Sequence, residues 1–459
     1  MLADSLNLSS VPMDVEILEE GDYLPAEDSV NVESKWVYTS VPVDYKFHPG
    51  VKYEKIEDLF LPEPAHIEEE DMEDGEETTT VAGKTKISKQ FLFDLEDEAL
   101  RLTGNYENPE EYGNSQTERR KRRPLGYVKV KNTVTGRMDP VVGVKIKTRR
   151  WFKWAKGWTN SQGYYSVNRR YRRPVRYTVV FKNTLGFKVW RSVVSISSAR
   201  YRAGQHGNGG HNINLYTNNS AWSWATVNNA TVKYLNYCTK FGVGKPHSNL
   251  RIVALGGTGP SAAPMLRRVW GVYGFTSKSK VKNFLAKANG ISLSLNTLAH
   301  MLKFIQPDLI IRAGASKGTD GVFSVTFHEL AHASHFKKVG SGYWIKYINY
   351  IITYGAYGNG KGRNAEYCGV GEMWGNYIEW LFLDNEFPSK NYPSNKNEDW
   401  YNPGFMLDVD NIKDITTMEI FSCLTSTTNS FNKLVSQLKT KTNYDGQIDN
   451  AFASYNDWP

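Results

Sequence analysis

Short runs that alternate apolar and polar residues fill the chain from about Leu125 to about Arg200, and longer runs with helical spacing follow from about Tyr216. In "GYVKVKNTVTGRMDPVVGVKIKT", "GWTNSQGYYSV" and "VRYTVVFKN" apolar or β-branched residues recur at every second position between turn residues, which is the mark of half-buried strands. They predict an antiparallel β-sandwich over residues 125–200. Further on, "SAWSWATVNNATVKYLNYC" predicts a helix opening after Asn219, "NLRIVALGG" a short strand, "LNTLAHMLKF" a helix and "PDLIIRAG" a strand over residues 307–314. The stretches "YWIKYINYIITYG", "EYCGVGEMWGNYIEWLFL" and "NSFNKLVSQLKT" predict more helices. The expected class is therefore multidomain, an antiparallel β-sandwich followed by an α+β, mostly helical domain over residues 205–459.

The first 118 residues read differently. "HIEEEDMEDGEETTTVAGKTK", residues 66–86, has no apolar periodicity and is expected to be a disordered linker. After it, Phe91, Leu95, Ala99 and Leu102 share one face of a predicted amphipathic helix near 88–104, with Gly104 as its stop. The basic run "ERRKRRP" marks a linker over 119–124. Residues 1–100 carry 26 Asp and Glu against 7 Lys and Arg, whereas the whole chain of 459 residues has a net charge of +8. An acidic leader thus precedes a basic body.

Composition adds limits rather than detail. At 459 residues the chain has room for two or three folding units. No run of about 18 apolar residues is present, so no transmembrane segment is expected. The N-terminus has neither a basic n-region nor an apolar h-region, and no secretory signal is expected in this chain. Cys238, Cys368 and Cys423 are too few and too scattered for a disulfide framework or a Cys-rich metal site, and are expected to be small buried hydrophobes.

The segment "DPVVGVKIKT" followed by "TNSQGYYSV" resembles the carboxypeptidase-regulatory-like, transthyretin-type sandwich. The resemblance implies an accessory module, with Gly163 in a turn conformation that a side chain resists. Inside it, "RRWFKWAKGW" interleaves Arg149, Arg150, Lys153 and Lys156 with Trp151, Phe152, Trp154 and Trp158. If exposed, these form a platform for a glycan or protein partner; strand alternation alternatively sends half of the aromatics into the core. No nucleic-acid motif accompanies the basic residues, and no nucleic-acid partner is expected.

The sharpest chemistry lies in "VTFHELAHASHF". His328, Glu329 and His332 form H-E-x-x-H in a predicted helix that opens near Thr319 and Asp320. Helical residues four apart stand about 6 Å from each other on one face, close enough for two imidazoles to reach one Zn²⁺ at roughly 2.0–2.1 Å. Glu329, about 100° around the helix, is placed to act as a base on water. His335 shares the face, but about 10.5 Å of axial rise separates it from His328, so packing or a supporting contact suits it better than ligation. The pattern H-E-x-x-H-x-x-G-x-x-H fails, because His335 and Lys338 stand where Gly and His are needed. A later carboxylate is the remaining third ligand. Glu372 is preferred, since its helix is otherwise apolar through Trp374, Tyr377, Ile378 and Leu381 and a buried acid needs a partner. Glu366 and Glu379 are its rivals.

In these residues the chain resembles the gluzincin metallopeptidases. The resemblance implies Glu372 as third ligand to a single Zn²⁺, with Asn376, one turn on, orienting a ligand histidine. It implies hydrolysis of a peptide or protein substrate by a metal-activated water with Glu329 as general base. Tyr367 or Tyr377 is a candidate oxyanion donor, and the strand Asp308 to Arg312 is expected to pair with an extended peptide. Together the two motifs look like those of bacterial cell-envelope proteins, which implies a location in the periplasm, on the outer membrane or outside the cell. The competing expectation is a non-catalytic surface binding protein with a structural or vestigial zinc site.

Overall fold

The computed structural model describes residues 45–54, 79–81, 85–87, 121–150, 153–193, 197–269, 282, 306–354, 357–390, 399–455 and 458. The chain divides into two units, residues 1–73 and 74–459. In the first, Phe47 stacks on Tyr53 with ring centres 4.3 Å apart, and Tyr45 meets Phe47 edge-on at 5.0 Å. The helix expected near 88–104, Trp151, Phe152 and "LNTLAHMLKF" lie outside the described residues. Within the expected linker, Thr79–Val81 (β1) and Thr85–Ile87 (β2) pair as an antiparallel hairpin where no order was expected.

Alternation after Leu125 does become strands. They are β3 (Leu125–Lys131), β4 (Met138–Pro140), β5 (Val144–Arg150), β6 (Lys153–Trp158), β7 (Tyr164–Ser166), β8 (Val175–Asn183), β9 (Lys188–Trp190), β10 (Arg200–His206) and β11 (Ile213–Leu215). In β8 the alternate residues Val175, Tyr177, Val179 and Phe181 are all buried, while Arg176 is exposed. The turn before β7 is set by Asn160, whose side-chain oxygen accepts from the amides of Gln162 at 2.9 Å and Tyr164 at 3.0 Å. Gly163 there has φ 74°, and a Cβ would lie 2.5 Å from the Val128 carbonyl oxygen, so the position requires glycine.

The β-region is mixed and not purely antiparallel, contrary to expectation. After the helix α1 (Ser220–Phe241), β12 (Arg251–Leu255) pairs in parallel with β9, and β13 (Leu309–Arg312) pairs in parallel with β12. β11 likewise runs parallel to β3. None of these partners is joined by a hairpin; long connections return each strand to its neighbour in the same direction. One sheet therefore has the order β13-β12-β9-β8-β5-β6, with β10 also on β8, and the other the order β11-β3-β4, with β7 on β3. The expected border at residues 200–205 falls inside β10, and the first sheet continues across it.

Helix α1 is capped by the Asn219 side chain and stopped by Gly242 at φ 67°. It is pinned to the sheets by the Trp222 indole, which donates to the Lys131 carbonyl at 2.7 Å, and by Asn183 donating to Asn228 at 2.9 Å. On its other side Tyr234 meets Ser334 at 2.8 Å. That contact reaches α3 (Gly318–Tyr354), a long helix broken at Gly340, where φ is 80° and ψ 176°. α2 (Leu266–Val269) precedes α3, and α4 (Ala365–Glu386), α5 (Phe405–Asp410), α6 (Thr417–Cys423), α7 (Phe431–Thr442) and α8 (Asp445–Ala453) complete a mostly helical C-terminal region. All three cysteines are free and buried, as expected.

The strand β13 ends the sheet, but its outer edge is not open to a peptide. Ala262 and Ile310 exchange both backbone hydrogen bonds, at 2.9 and 3.0 Å, and the Met265 amide donates to the Asp308 carbonyl at 3.0 Å. The chain's own residues 261–265 thus occupy the edge that the sequence offered to a substrate. Asp308 fastens this corner: its carboxylate accepts from the Arg251 amide at 3.0 Å and lies 3.2 Å from Arg268 Nε and 3.6 Å from Arg267. Burial lifts its carboxyl above the ordinary range although both arginines pull the other way. Asp308→Ala is expected to destabilise the protein by about 1–3 kcal/mol, because it leaves the Arg251 amide without its acceptor and takes one partner from two arginines that keep Asn249. Denaturant unfolding checks this; a loss below about 1 kcal/mol would show that the cluster is solvated.

Candidate metal centre

Two glycines on α4 let it come close to α3. At Gly375 a Cβ would stand 2.9 Å from His328 Cε1 and 3.0 Å from His332 Cε1, and at Gly371 it would stand 2.9 Å from the Tyr347 ring. The Trp374 indole, between them, donates to the Ala331 carbonyl at 3.1 Å and locks the two helices in register. This approach sets Glu372 against the histidine pair. His328 Nε2 lies 3.0 Å from His332 Nε2 and 3.2 Å from Glu372 Oε2, and His332 Nε2 lies 3.4 Å from Glu372 Oε2. A tetrahedral ion with bonds of roughly 2.0–2.1 Å has its donors about 3.3–3.4 Å apart. The three observed edges match that spacing, so the donor set fits one such ion. Among the described residues this is the group of His, Cys, Asp or Glu side chains that could hold a metal.

The electrostatics suit a cation. Burial pushes the His328 imidazole down, but the Glu372 and Glu379 carboxylates outweigh it and leave its pKa well above the ordinary histidine value. Burial raises the Glu372 carboxyl, and His332 and His328 together hold it below the usual carboxylate range. His332 is lowered, with burial ahead of the opposing pull of Glu372. The same two carboxylates that favour a positive charge on His328 favour a cation beside it. Glu329 is 6% exposed and its pKa is pushed up to about 8, mainly by burial and further by Glu372 and Glu379 against His328.

Several supporting residues differ from expectation. Asn376 does not orient a histidine: its amide donates to the Glu372 backbone carbonyl at 3.0 Å and to Tyr401 Oη at 3.3 Å. Glu379 does so instead, with Oε2 at 3.1 Å from His328 Nδ1 while Ser324 donates to its other oxygen. The reason is rotational, since on α4 the residue two turns after Glu372 comes round to the far edge of the His328 ring. Glu366 accepts from the Phe431 amide at 3.2 Å and is a structural carboxylate. His335 is fully buried outside the triad, edge-on to Tyr343 with ring centres 5.1 Å apart, and neither ring nitrogen has a hydrogen-bond partner among the described residues.

The two expected oxyanion donors also turn elsewhere. Tyr367 Oη accepts from Lys346 at 2.9 Å and Asn429 at 2.7 Å, and Tyr377 donates to Thr417 at 3.1 Å. Sequence reasoning missed Tyr347, whose hydroxyl donates to Glu372 Oε1 and lies 3.5 Å from His332 Nε2. It sits fifteen residues beyond His332. Only the break at Gly340 turns its half of α3 back over the site, and nothing in the local pattern signals that return.

No protein-family model matches the chain, and no curated protein matches it. The donor geometry therefore carries the functional reading by itself.

Two outcomes are expected from metal titration by calorimetry. Glu379→Gln lowers metal affinity about 10- to 100-fold, the usual effect of removing a carboxylate behind a ligand histidine, whereas Asn376→Ala changes it much less. Gly375→Ala, which on an open helix would gain up to about 1 kcal/mol, instead weakens metal binding because its methyl group meets both imidazoles.

Proposed function

We propose that this protein is a zinc-dependent metallopeptidase on the gluzincin pattern, with His328, His332 and Glu372 as ligands and Glu329 as general base. The observation that carries the reading is the triangle of three donors, with Glu329 next to one of them on the same helix. Three protein ligands, with no fourth among the described residues, suit a site that keeps a position open for chemistry. A bound zinc ion supplies Lewis acidity toward water and toward a peptide carbonyl oxygen.

The chain's own residues supply the rest. The Glu329 carboxylate takes a proton from the attacking water and passes it to the leaving amine nitrogen. Its buried position, which favours the protonated form when no cation is near, suits a group that must hold a proton between those two steps. Glu379 fixes the tautomer and plane of His328, and Tyr347 holds the second oxygen of Glu372. A peptide does not reach the metal centre by adding to β13, because residues 261–265 already fill that edge. A carboxypeptidase-regulatory-like role for the β-region and a bacterial extracytoplasmic location belong to the same proposal. No helix among the described residues is long and apolar enough to cross a membrane.

A second reading, a binding protein with structural zinc, draws on the closure of the site. His328 is 8% exposed, His332 and Glu372 2% each. One experiment separates the two. Metal analysis of the purified protein is expected to give one zinc per chain, and a peptide library is expected to be cleaved. Glu329→Gln should keep the zinc and lose turnover by about 10²–10⁴-fold. Zinc retained without any cleavage by the wild type would favour the structural reading, and absence of zinc from the folded protein would remove both.

A further inference from the structure

The connection from β10 to β11 carries the chain from one sheet to the other, since β10 pairs with β8 and β11 with β3. It reads "HGNGGH", residues 206–211, and the imidazoles at its two ends lie face to face, with ring centres 3.4 Å apart and planes 9° from parallel. Both lean on the Tyr177 ring of β8, at 6.1 Å for His206 and 5.8 Å for His211. Hydrogen bonds clamp the loop around them. Tyr177 Oη donates to the Gly207 carbonyl at 2.6 Å, Tyr165 Oη to the His211 carbonyl at 2.7 Å, and the His211 amide to the Leu125 carbonyl at 3.1 Å. The stack thus ties a strand of one sheet to a strand of the other.

Among the described residues nothing around the pair offers a negative charge. The ionisable groups beside it are Arg176, opposite Gln205 on β8, Arg202 on β10, and Arg122, whose side chain would lie 3.3 Å from a Cβ at Gly209. Tyr165, Tyr171 and Tyr177 complete the surroundings, and burial raises all three phenols above their ordinary range, so they stay neutral. The sequence has no Asp or Glu between Asp139 and Asp308. Both imidazoles are half-buried, within reach of a proton from solvent. One imidazolium resting on a neutral ring is a favourable contact, whereas two would set like charges face to face with no counter-ion.

We propose that the His206–His211 stack is an acid-sensitive latch between the two sheets: it is closed while at most one ring carries a proton, and the second proton parts the rings and frees the connection into β11. Parallel rings do not make a chelate, because their nitrogen lone pairs lie in separate planes and do not converge on one ion. The direction of the response follows from His211. Burial, and then the neighbouring His206, hold its pKa below the ordinary histidine value in the folded protein. A group so depressed stabilises the fold above its unfolded pKa and loses that contribution as pH falls through the folded one. The latch is therefore closed at neutral pH and opens on acidification. β11 leads directly to the Asn219 cap of α1, so opening loosens the chain where sheet passes into helix. None of this rests on the metal centre, which α3 and α4 build elsewhere.

Hydrogen exchange of the full-length protein, read by mass spectrometry and corrected for the intrinsic effect of pH, tests the latch. Between about pH 7.5 and about pH 5, residues 206–216 are expected to lose at least about tenfold more protection than α7 does. His206→Phe and His211→Phe each keep an aromatic ring in the stack but leave only one proton to bind, and each should abolish that extra loss. His48→Gln, at an exposed histidine of the first unit, should leave it unchanged. An extra loss that persists in both phenylalanine variants, or its absence from the wild type, would overturn the proposal. Should a variant fail to fold, the wild type still decides. Its loss must have a midpoint between the ordinary carboxylate and histidine values, and a midpoint in the carboxylate range would sink the idea.

Discussion

The close approach of α3 and α4 is the constraint on which the metal centre depends. Two helices bring a third donor to a histidine pair only if nothing stands between them, and at Gly371 and Gly375 even a methyl group would. Trp374 on the same face fills the space that the glycines leave on either side and donates to α3, so closeness and register come from adjacent residues. Buried Glu372 then has two imidazoles and a tyrosine hydroxyl as partners in place of water. A carboxylate in that position without them would be costly, and with them it is a ligand poised for a cation.

The rest of the molecule holds that pair of helices still. α1 contacts α3 through Tyr234 and Ser334 and is itself tied to both sheets by Trp222 and Asn228. β13, which pairs in parallel with β12, ends just before α3 begins, and the Asp308 cluster fastens the start of that strand. Placing the donors on long helices, backed by a sheet that continues through seven strands, gives the site fixed geometry rather than loop geometry.

Charge is divided along the chain in the same way as the architecture. The interval that forms most of the sheet has no acid, while Glu329, Glu372 and Glu379 all come after Asp308 and converge on one pair of histidines. Burial first, and then repulsion from the Glu372 and Glu379 carboxylates, raises the Glu329 carboxyl. A cation relieves that repulsion.

Within one helix the covalent repeat decides which side chains meet, so the sequence alone determined His328 and His332 as a pair, Glu329 beside them and His335 as an outsider. Strand alternation likewise made the β-region legible, down to the glycine turn at Gly163. Between elements no such repeat operates. The choice of Glu372 could be argued from its apolar helix, but which carboxylate backs His328 depends on how α4 is rotated against α3, and packing chose Glu379 over Asn376. Tyr347 reaches the site because one glycine breaks a helix, and β12 joins β9 in parallel because the chain crosses over. The closing of the β13 edge by residues 261–265 is of the same kind. Such long-range pairings are settled by which surfaces fit once the chain is folded, and local spacing does not contain them.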